Sequence, residues 1–200
     1  AVVTALGNLK DDRAVDSMIG ILTDPEPAVR ADCVYALGNI DHLRAIRIML
    51  KSLDDEDIEV RNRTAEVLKN FGEKAIYEFI AALKDPDERV RENAVATMGK
   101  LGYASLLEPL ITALDDMDRN MRENAARVLG VIGDETAIEP LITTLSDRNW
   151  RVRMNAARAL GELKSVEAVL PLQKAQHDDN KDVRRVATTA LDKIYEEHRL

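Results

Sequence analysis

The chain has 200 residues with 36 Asp and Glu against 28 Lys and Arg, a net charge of -8 that argues against a sequence-independent grip on nucleic acid phosphates. A single cysteine, Cys33, permits no internal disulfide, and no apolar run reaches membrane-spanning length, so a cytoplasmic protein with no membrane contact is expected. Apolar residues make up 46% but aromatic residues only 4%, which leaves Ala, Val, Leu and Ile to build a helical core.

Taken in chain order, Ala1 to Leu9 aligns with Asp32 to Ile40, so the sequence opens inside the second helix of a half repeat over 1–10. The apolar stripe of that helix lacks its partner, and the native protein is therefore expected to continue upstream. Complete repeats follow over about 11–41, 42–72, 73–102, 103–133, 134–164 and 165–200. The period is carried by Val29-Arg30, Val60-Arg61, Val90-Arg91, Met121-Arg122, Val152-Arg153 and Val183-Arg184, spaced by 31 residues except for one step of 30. A period in this range predicts a solenoid, and stacked units sharing one core predict a single domain over 1–200.

Each repeat reads as two helices. The first, helix A, carries apolar residues at i, i+3, i+4 and i+7, as in Ile46, Met49, Leu50, Leu53, then Ile76, Phe79, Ile80, Leu83, then Ile138, Leu141, Ile142, Leu145. The second, helix B, opens at the Val-Arg pair and is expected to bury Val29, Cys33, Ala36, Leu37 and Ile40, with Val152, Ala156, Ala159, Leu160 and Leu163 as counterparts. Asp24-Pro25 and Asp85-Pro86 mark the A to B turn, where aspartate accepts from orphan N–H groups and proline suits a first turn. Gly72, Gly102 and Gly133 stand where a left-handed cap ends helix B. Gly72 to Ala75 is one residue shorter than Gly133 to Ala137, which places the missing residue in a loop. At the C-terminal end Gln173, Gln176 and Asp192 replace stacking positions with polar residues, as a terminal cap requires.

The pattern Asp-x5-Arg, Ala-x-x-Leu-Gly and Ala-Ile-x-Pro-Leu-Ile-x-x-Leu is best preserved from Val128 to Leu145 and from Val152 to Leu172, with helix A prolines at Pro109, Pro140 and Pro171. It resembles the HEAT-like repeats of the phycobilisome-lyase type along essentially the whole chain, although Ser17, Ile48 and Glu78 depart from it at the proline position. The resemblance implies an all-α, right-handed α-α superhelix of six two-helix repeats plus the N-terminal half repeat. It also implies a concave groove lined by helix B. Such repeats serve scaffolds, enzyme subunits and nucleic-acid binders alike. The loop deletion and irregular columns disfavour a designed consensus repeat.

The most regular polar columns are Asp24, Asp55, Asp85, Asp116, Asp147, Asp178 and Arg30, Arg61, Arg91, Arg122, Arg153, Arg184. A pair present in every repeat reads as a structural ladder, whereas a catalytic pair would occur once. His42, His177 and His198 are widely separated, and the His-Glu pairs of HEAT-like iron hydroxylases are missing, so no metal site is expected. Cys33 shares a column with Thr64, Ala94, Ala125, Ala156 and Ala187 and reads as a packing residue. No phosphate loop occurs. Catalytic, cofactor-binding and metal-binding residues are all expected to be none, and the protein to be no enzyme. Asn93, Asn124 and Asn155, two residues after Arg, suggest hydrogen bonds between adjacent repeats or to a ligand, and their repetition favours the former.

The face of helix B opposite its core stripe is where repeats differ. It begins mildly acidic with Ala28, Ala31, Asp32, Tyr35 and Asn39, and becomes basic toward Arg89, Arg119, Glu123, Arg127, Trp150, Arg151, Met154, Arg158 and Arg185. Trp150 aligns with Arg119 and Lys181, so it reads as an exposed indole among cations. Trp, Met and Arg are enriched where partners bind. The expectation is a scaffold that holds an acidic or mixed-charge protein segment with an apolar anchor. Two alternatives are an accessory subunit of a lyase or chaperone handling a prosthetic group, as the family's namesake implies, and a nucleic-acid binder, which the net charge disfavours.

Overall fold

A computed structural model describes residue 7 and residues 14–40, 45–102 and 104–198, without the side chains at 73 and 74. Apart from Gly7, the half repeat over 1–10 lies outside the described residues, as does His42. Short and long helices alternate: α1 (Ala14–Ile21), α2 (Pro27–Ile40), α3 (Ala45–Ser52), α4 (Ile58–Phe71), α5 (Ile76–Ala82) and α6 (Glu88–Leu101). They continue with α7 (Leu107–Ala113), α8 (Arg119–Ile132), α9 (Ile138–Thr144), α10 (Trp150–Leu163), α11 (Val169–Ala175) and α12 (Lys181–His198). The odd-numbered helices are the A helices and the even-numbered ones the B helices of an all-α repeat fold. Two compact units, Ala1–Thr97 and Met98–Leu200, are distinguished.

The A to B turn has a regular construction. The ladder aspartate accepts the N–H two residues on, as in Asp24 from Glu26 and Asp147 from Asn149. This turn delivers the next side chain to the N-cap, where Asp57 and Asp118 each accept two N–H groups and Asn149 accepts one. The expectation that Asp24-Pro25 and Asp85-Pro86 open the helix is thereby corrected. The helices begin at Pro27 and Glu88, because the aspartate side chain is already used in the turn.

Helix B ends in different ways. Gly133 adopts the left-handed conformation (φ 74°, ψ 23°), whereas Gly72 has φ 61° with ψ -154° because the chain passes directly into the 3-10 turn Gly72–Ala75. That corrects the expected left-handed cap at Gly72. After α10 the left-handed position is taken by Lys164, at a cost of about 1 kcal/mol relative to glycine.

The core column lies seven residues after each ladder arginine. Leu37, Leu68, Met98, Leu129 and Leu160 have no exposed surface. Removing each such side chain from water is worth about 1.5–3 kcal/mol. Leu53, Ile80, Ile138, Ile142, Leu145 and Leu163 are only half-buried, since they edge the apolar stripe. Val29 is likewise half-buried and Ala31, expected on the open face, is buried. A methyl group ends at the helix surface, where the longer chains at the same position, Met154 and Arg185, reach outward.

Glycine eight residues after the arginine lets neighbouring B helices touch. A Cβ on Gly130 would lie 2.8 Å from the Cα of Ala159, and one on Gly161 would lie 2.7 Å from the Cβ of Ala190. Within the first unit Gly38 makes room instead for the side chain of Val67, whose Cγ1 would lie 2.5 Å from an added Cβ. Backbones can approach this closely only where a side chain is missing.

Candidate functional site

The ladder aspartates divide their oxygens among two or three tasks. Each carbonyl accepts from the arginine six residues on, in Asp24–Arg30 (2.8 Å), Asp55–Arg61 (2.6 Å), Asp85–Arg91 (2.7 Å), Asp116–Arg122 (2.8 Å), Asp147–Arg153 (2.9 Å) and Asp178–Arg184 (2.8 Å). One carboxylate oxygen also accepts the N–H of the turn. The carboxylate receives the arginine of the preceding repeat, 25 residues earlier, in Arg30–Asp55, Arg122–Asp147 and Arg153–Asp178. These are bidentate: Arg153 donates through Nε and Nη2 at 2.7 and 2.8 Å. The residues six apart therefore meet through backbone, and the side-chain pairing joins successive repeats.

These contacts set the charge state. The Arg30 hydrogen bond holds Asp55 below the ordinary carboxylate range, and Arg153 lowers Asp178 to about 2. At Asp147 burial opposes ionisation, yet the hydrogen bonds from Arg122 and the Asn149 N–H outweigh it and the pKa falls. Cys33 is the opposite case: buried, with its thiol donating to the Met18 carbonyl, it is pushed up to about 12 by desolvation and stays protonated. Among the described residues no three His, Cys, Asp or Glu are grouped to hold a metal ion, and no helix is long and apolar enough to cross a membrane.

The asparagine column is engaged from within. Asn93 donates to the Leu50 carbonyl of the preceding repeat at 2.8 Å. Asn124 and Asn155 are buried, and their side-chain oxygens accept from Arg127 and Arg158 at 3.1 and 3.2 Å. Asn155 donates in turn to the Arg151 carbonyl and reaches Glu123 at 3.5 Å. A buried amide thus steadies an outward-facing guanidinium at the same place in two successive repeats.

The second unit gathers most of the remaining candidates on the B helices. Arg119 lies on α8 with Glu123 and Arg127; Trp150, Arg151, Met154 and Arg158 lie on α10; Arg185 lies on α12. Arg119, Arg151, Arg158 and Arg185 are exposed, while Glu123, Arg127 and Met154 are half-buried. Trp150 is also half-buried, which corrects the exposed indole: the Arg151 guanidinium lies 5.3 Å from its ring centroid and covers one face. Arg89 belongs to the first unit, exposed on α6 with Asp87 at 3.8 Å.

Most other arginines that meet a carboxylate do so closely, as Arg30, Arg122 and Arg153 do at 2.7 Å. Among the described residues Arg151 and Arg158 have no carboxylate within 4.0 Å, and Arg185 has only Asp182, at 3.9 Å. Beside the glycine crossing of α10 and α12 a hollow of about 150 Å³ opens between Arg158, Arg185, Lys193 and Glu162. A hollow of the same size and position in the first unit is lined by Tyr35, Asn39, Arg63, Glu66 and Asn70, with Arg63 5.6 Å from the Tyr35 centroid. Sequence columns did not indicate either hollow, because each is made by two helices 31 residues apart meeting at a glycine.

Comparison with known proteins agrees with this architecture. Human deoxyhypusine hydroxylase superposes with a TM-score of 0.51 at 23% identity, covering 97% of this chain and 78% of that one. A computationally designed armadillo repeat protein for modular peptide recognition gives 0.52 at 22% identity, covering 96% and 98%. The CpcE and CpcF complex of phycocyanin lyase from Nostoc sp. gives 0.52 at 20% identity, covering 74% and 99%. At these identities the likeness is one of fold. No curated protein matches the sequence. The family described as HEAT repeats matches over residues 1–69, 47–114 and 107–192, and the chain belongs to that family.

Proposed function

We propose that this HEAT repeat protein is a non-enzymatic scaffold that holds an acidic or mixed-charge protein segment against the B-helix face of α8, α10 and α12. The observation that carries the reading is the set of uncompensated guanidiniums there. In a chain with 36 carboxylates and a net charge of -8, Arg151 and Arg158 remain without an acidic partner among the described residues. An isolated cation on a solvated surface costs little, but a group of them beside a half-buried indole favours an anionic partner and steers its approach. Trp150 and Met154 supply the apolar contact, while Arg127, Arg151 and Arg158 engage carboxylates or carbonyls, with Glu123, Arg119 and Arg185 at the rim. The designed armadillo protein named for peptide recognition shares the fold and supports a peptide-like partner. The hydroxylase and the phycocyanin lyase complex are equally distant in sequence and fit the accessory-subunit alternative to the same coarse degree.

Capture of cellular partners tests the reading, with circular dichroism as the control for folding. Trp150→Ala is expected to cost at least about 2 kcal/mol of binding, as hot-spot aromatics do, and Arg158→Glu to act in the same direction. Capture undiminished by both substitutions would move the binding surface away from this face.

A further inference from the structure

We infer that the hollow between α10 and α12 receives the phosphate of a phosphorylated serine or threonine on the bound segment, an inference that rests on the scaffold reading above. The hollow lies beside the place where the missing side chain of Gly161 lets α10 and α12 close on one another at Ala190. Val186 and Ala190, both buried, form its apolar floor. Its walls bring Arg158, Arg185 and Lys193 together with Glu162, and Asp182 stands 3.9 Å from Arg185, so three positive charges against two negative leave a surplus of one. A phosphate monoester carries about 1.5 to 2 negative charges and offers three acceptor oxygens, whereas a carboxylate brings one charge and two.

Two of the cations are also held in place. Arg158 is fixed through Nη1 to the Asn155 side-chain oxygen at 3.2 Å, and Asn155 is itself buried and bound to the Arg151 carbonyl. That leaves the rest of the Arg158 fork without an acceptor among the described residues. Lys193 is kept at the hollow by Glu162 at 2.6 Å, and Arg185 stands 3.9 Å from Asp182, beyond hydrogen-bond length. A phosphate entering here meets two solvent-exposed guanidiniums and an ammonium already gathered at one place. The corresponding hollow of the first unit has the same size but only Arg63 against Glu66, so the charge surplus is particular to this one and not a consequence of the repeat.

The test uses three fluorescein-labelled degenerate peptide libraries that differ only at one fixed position: phosphoserine, serine or glutamate. Fluorescence anisotropy on the full chain is expected to show the phosphoserine library bound at least ten-fold more tightly than the other two, with millimolar inorganic phosphate competing. Arg158→Gln with Arg185→Gln should erase the difference between libraries. Trp150→Ala should weaken all three alike, because it tests the scaffold face and not the hollow. Equal binding of the three libraries by the wild type would overturn the phosphate inference and leave the scaffold reading standing. Absence of binding to any library, joined to failed partner capture, would overturn both. Preference for single-stranded oligonucleotides or phosphatidylserine vesicles over the phosphoserine library would also overturn it.

Discussion

Arg47 and Asp85, 38 residues apart, form an ion pair where the ladder between repeats would otherwise place Arg61 against Asp85. The step at this point is 30 residues, so Arg61 and Asp85 stand 24 apart where the other rungs stand 25 apart. The loop that lost the residue is the 3-10 turn Gly72–Ala75. Arg47 donates from α3 through Nε and Nη2, and supplies a cation to a carboxylate that is only 5% exposed.

Removing that cation should leave a buried carboxylate without its charged partner. Arg47→Ala is expected to destabilise the protein by about 2 kcal/mol in urea unfolding, because loss of one partner exposes the full desolvation cost of the other. Asp85→Asn in the Arg47→Ala background should recover part of the loss. Additive losses in the double variant would contradict the pairing.

Acid should loosen the repeats in a defined window. Asp178 titrates at about 2 against an ordinary 3.8, and Asp55, Asp85 and Asp147 are lowered as well, so the folded protein binds fewer protons than the unfolded chain in this range. The stability these groups contribute is complete above pH about 4 and is lost as pH falls through the folded values toward about 2. Thermal melts should be level from pH 7 to 5 and decline below 4, and Asp178→Asn should flatten the decline. A melting temperature unchanged down to pH 2.5 would remove the ladder from the account.

Two glycines in helices should respond with opposite signs. Gly130→Ala places a methyl 2.8 Å from the Ala159 Cα and should cost about 1–3 kcal/mol as the helices are forced apart. Gly20→Ala meets nothing within 4 Å in α1 and should stabilise by about 0.5–1 kcal/mol through reduced unfolded-state entropy. Equal effects in denaturant titrations would contradict the helix contact.

Leu129 has no exposed surface, and Leu129→Ala should cost about 2–5 kcal/mol as a cavity mutation. Arg119→Ala, at an exposed position of the same helix, should stay within about 0.5 kcal/mol. Comparable shifts in thermal melts would reverse the assigned faces of α8.

The alternation of helices could be read from the spacing of Val-Arg pairs because core burial acts on side-chain type, and side-chain type is what a sequence displays. The partner of Arg30 could not be read in this way. Asp24, six residues before it, contributes a carbonyl that every residue has, while Asp55, 25 residues after it, contributes the carboxylate. Only folding brings that distant residue close. Lys164 carries a left-handed turn that glycine carries elsewhere, a choice no column predicts. The break in period does signal a disturbance, but not that Arg47, on the other helix type, answers it. At the candidate site the residue types were readable, whereas the cover of Arg151 over Trp150 and the anchoring of Arg158 by Asn155 depend on rotamers.

The crossing of B helices at glycine separates two kinds of inheritance. Close contact of Gly38 with the Val67 side chain and of Gly161 with Ala190 marks where an opening forms, and neither residue pair supplies the polar groups that line it. The lining comes from surface positions five and nine residues after the arginine, Tyr35 and Asn39 in one unit, Arg158 and Glu162 in the other. Mutation at those positions changes the chemistry of the opening while leaving folding under the control of other residues. The chemistry of these openings can therefore drift repeat by repeat without loss of stability.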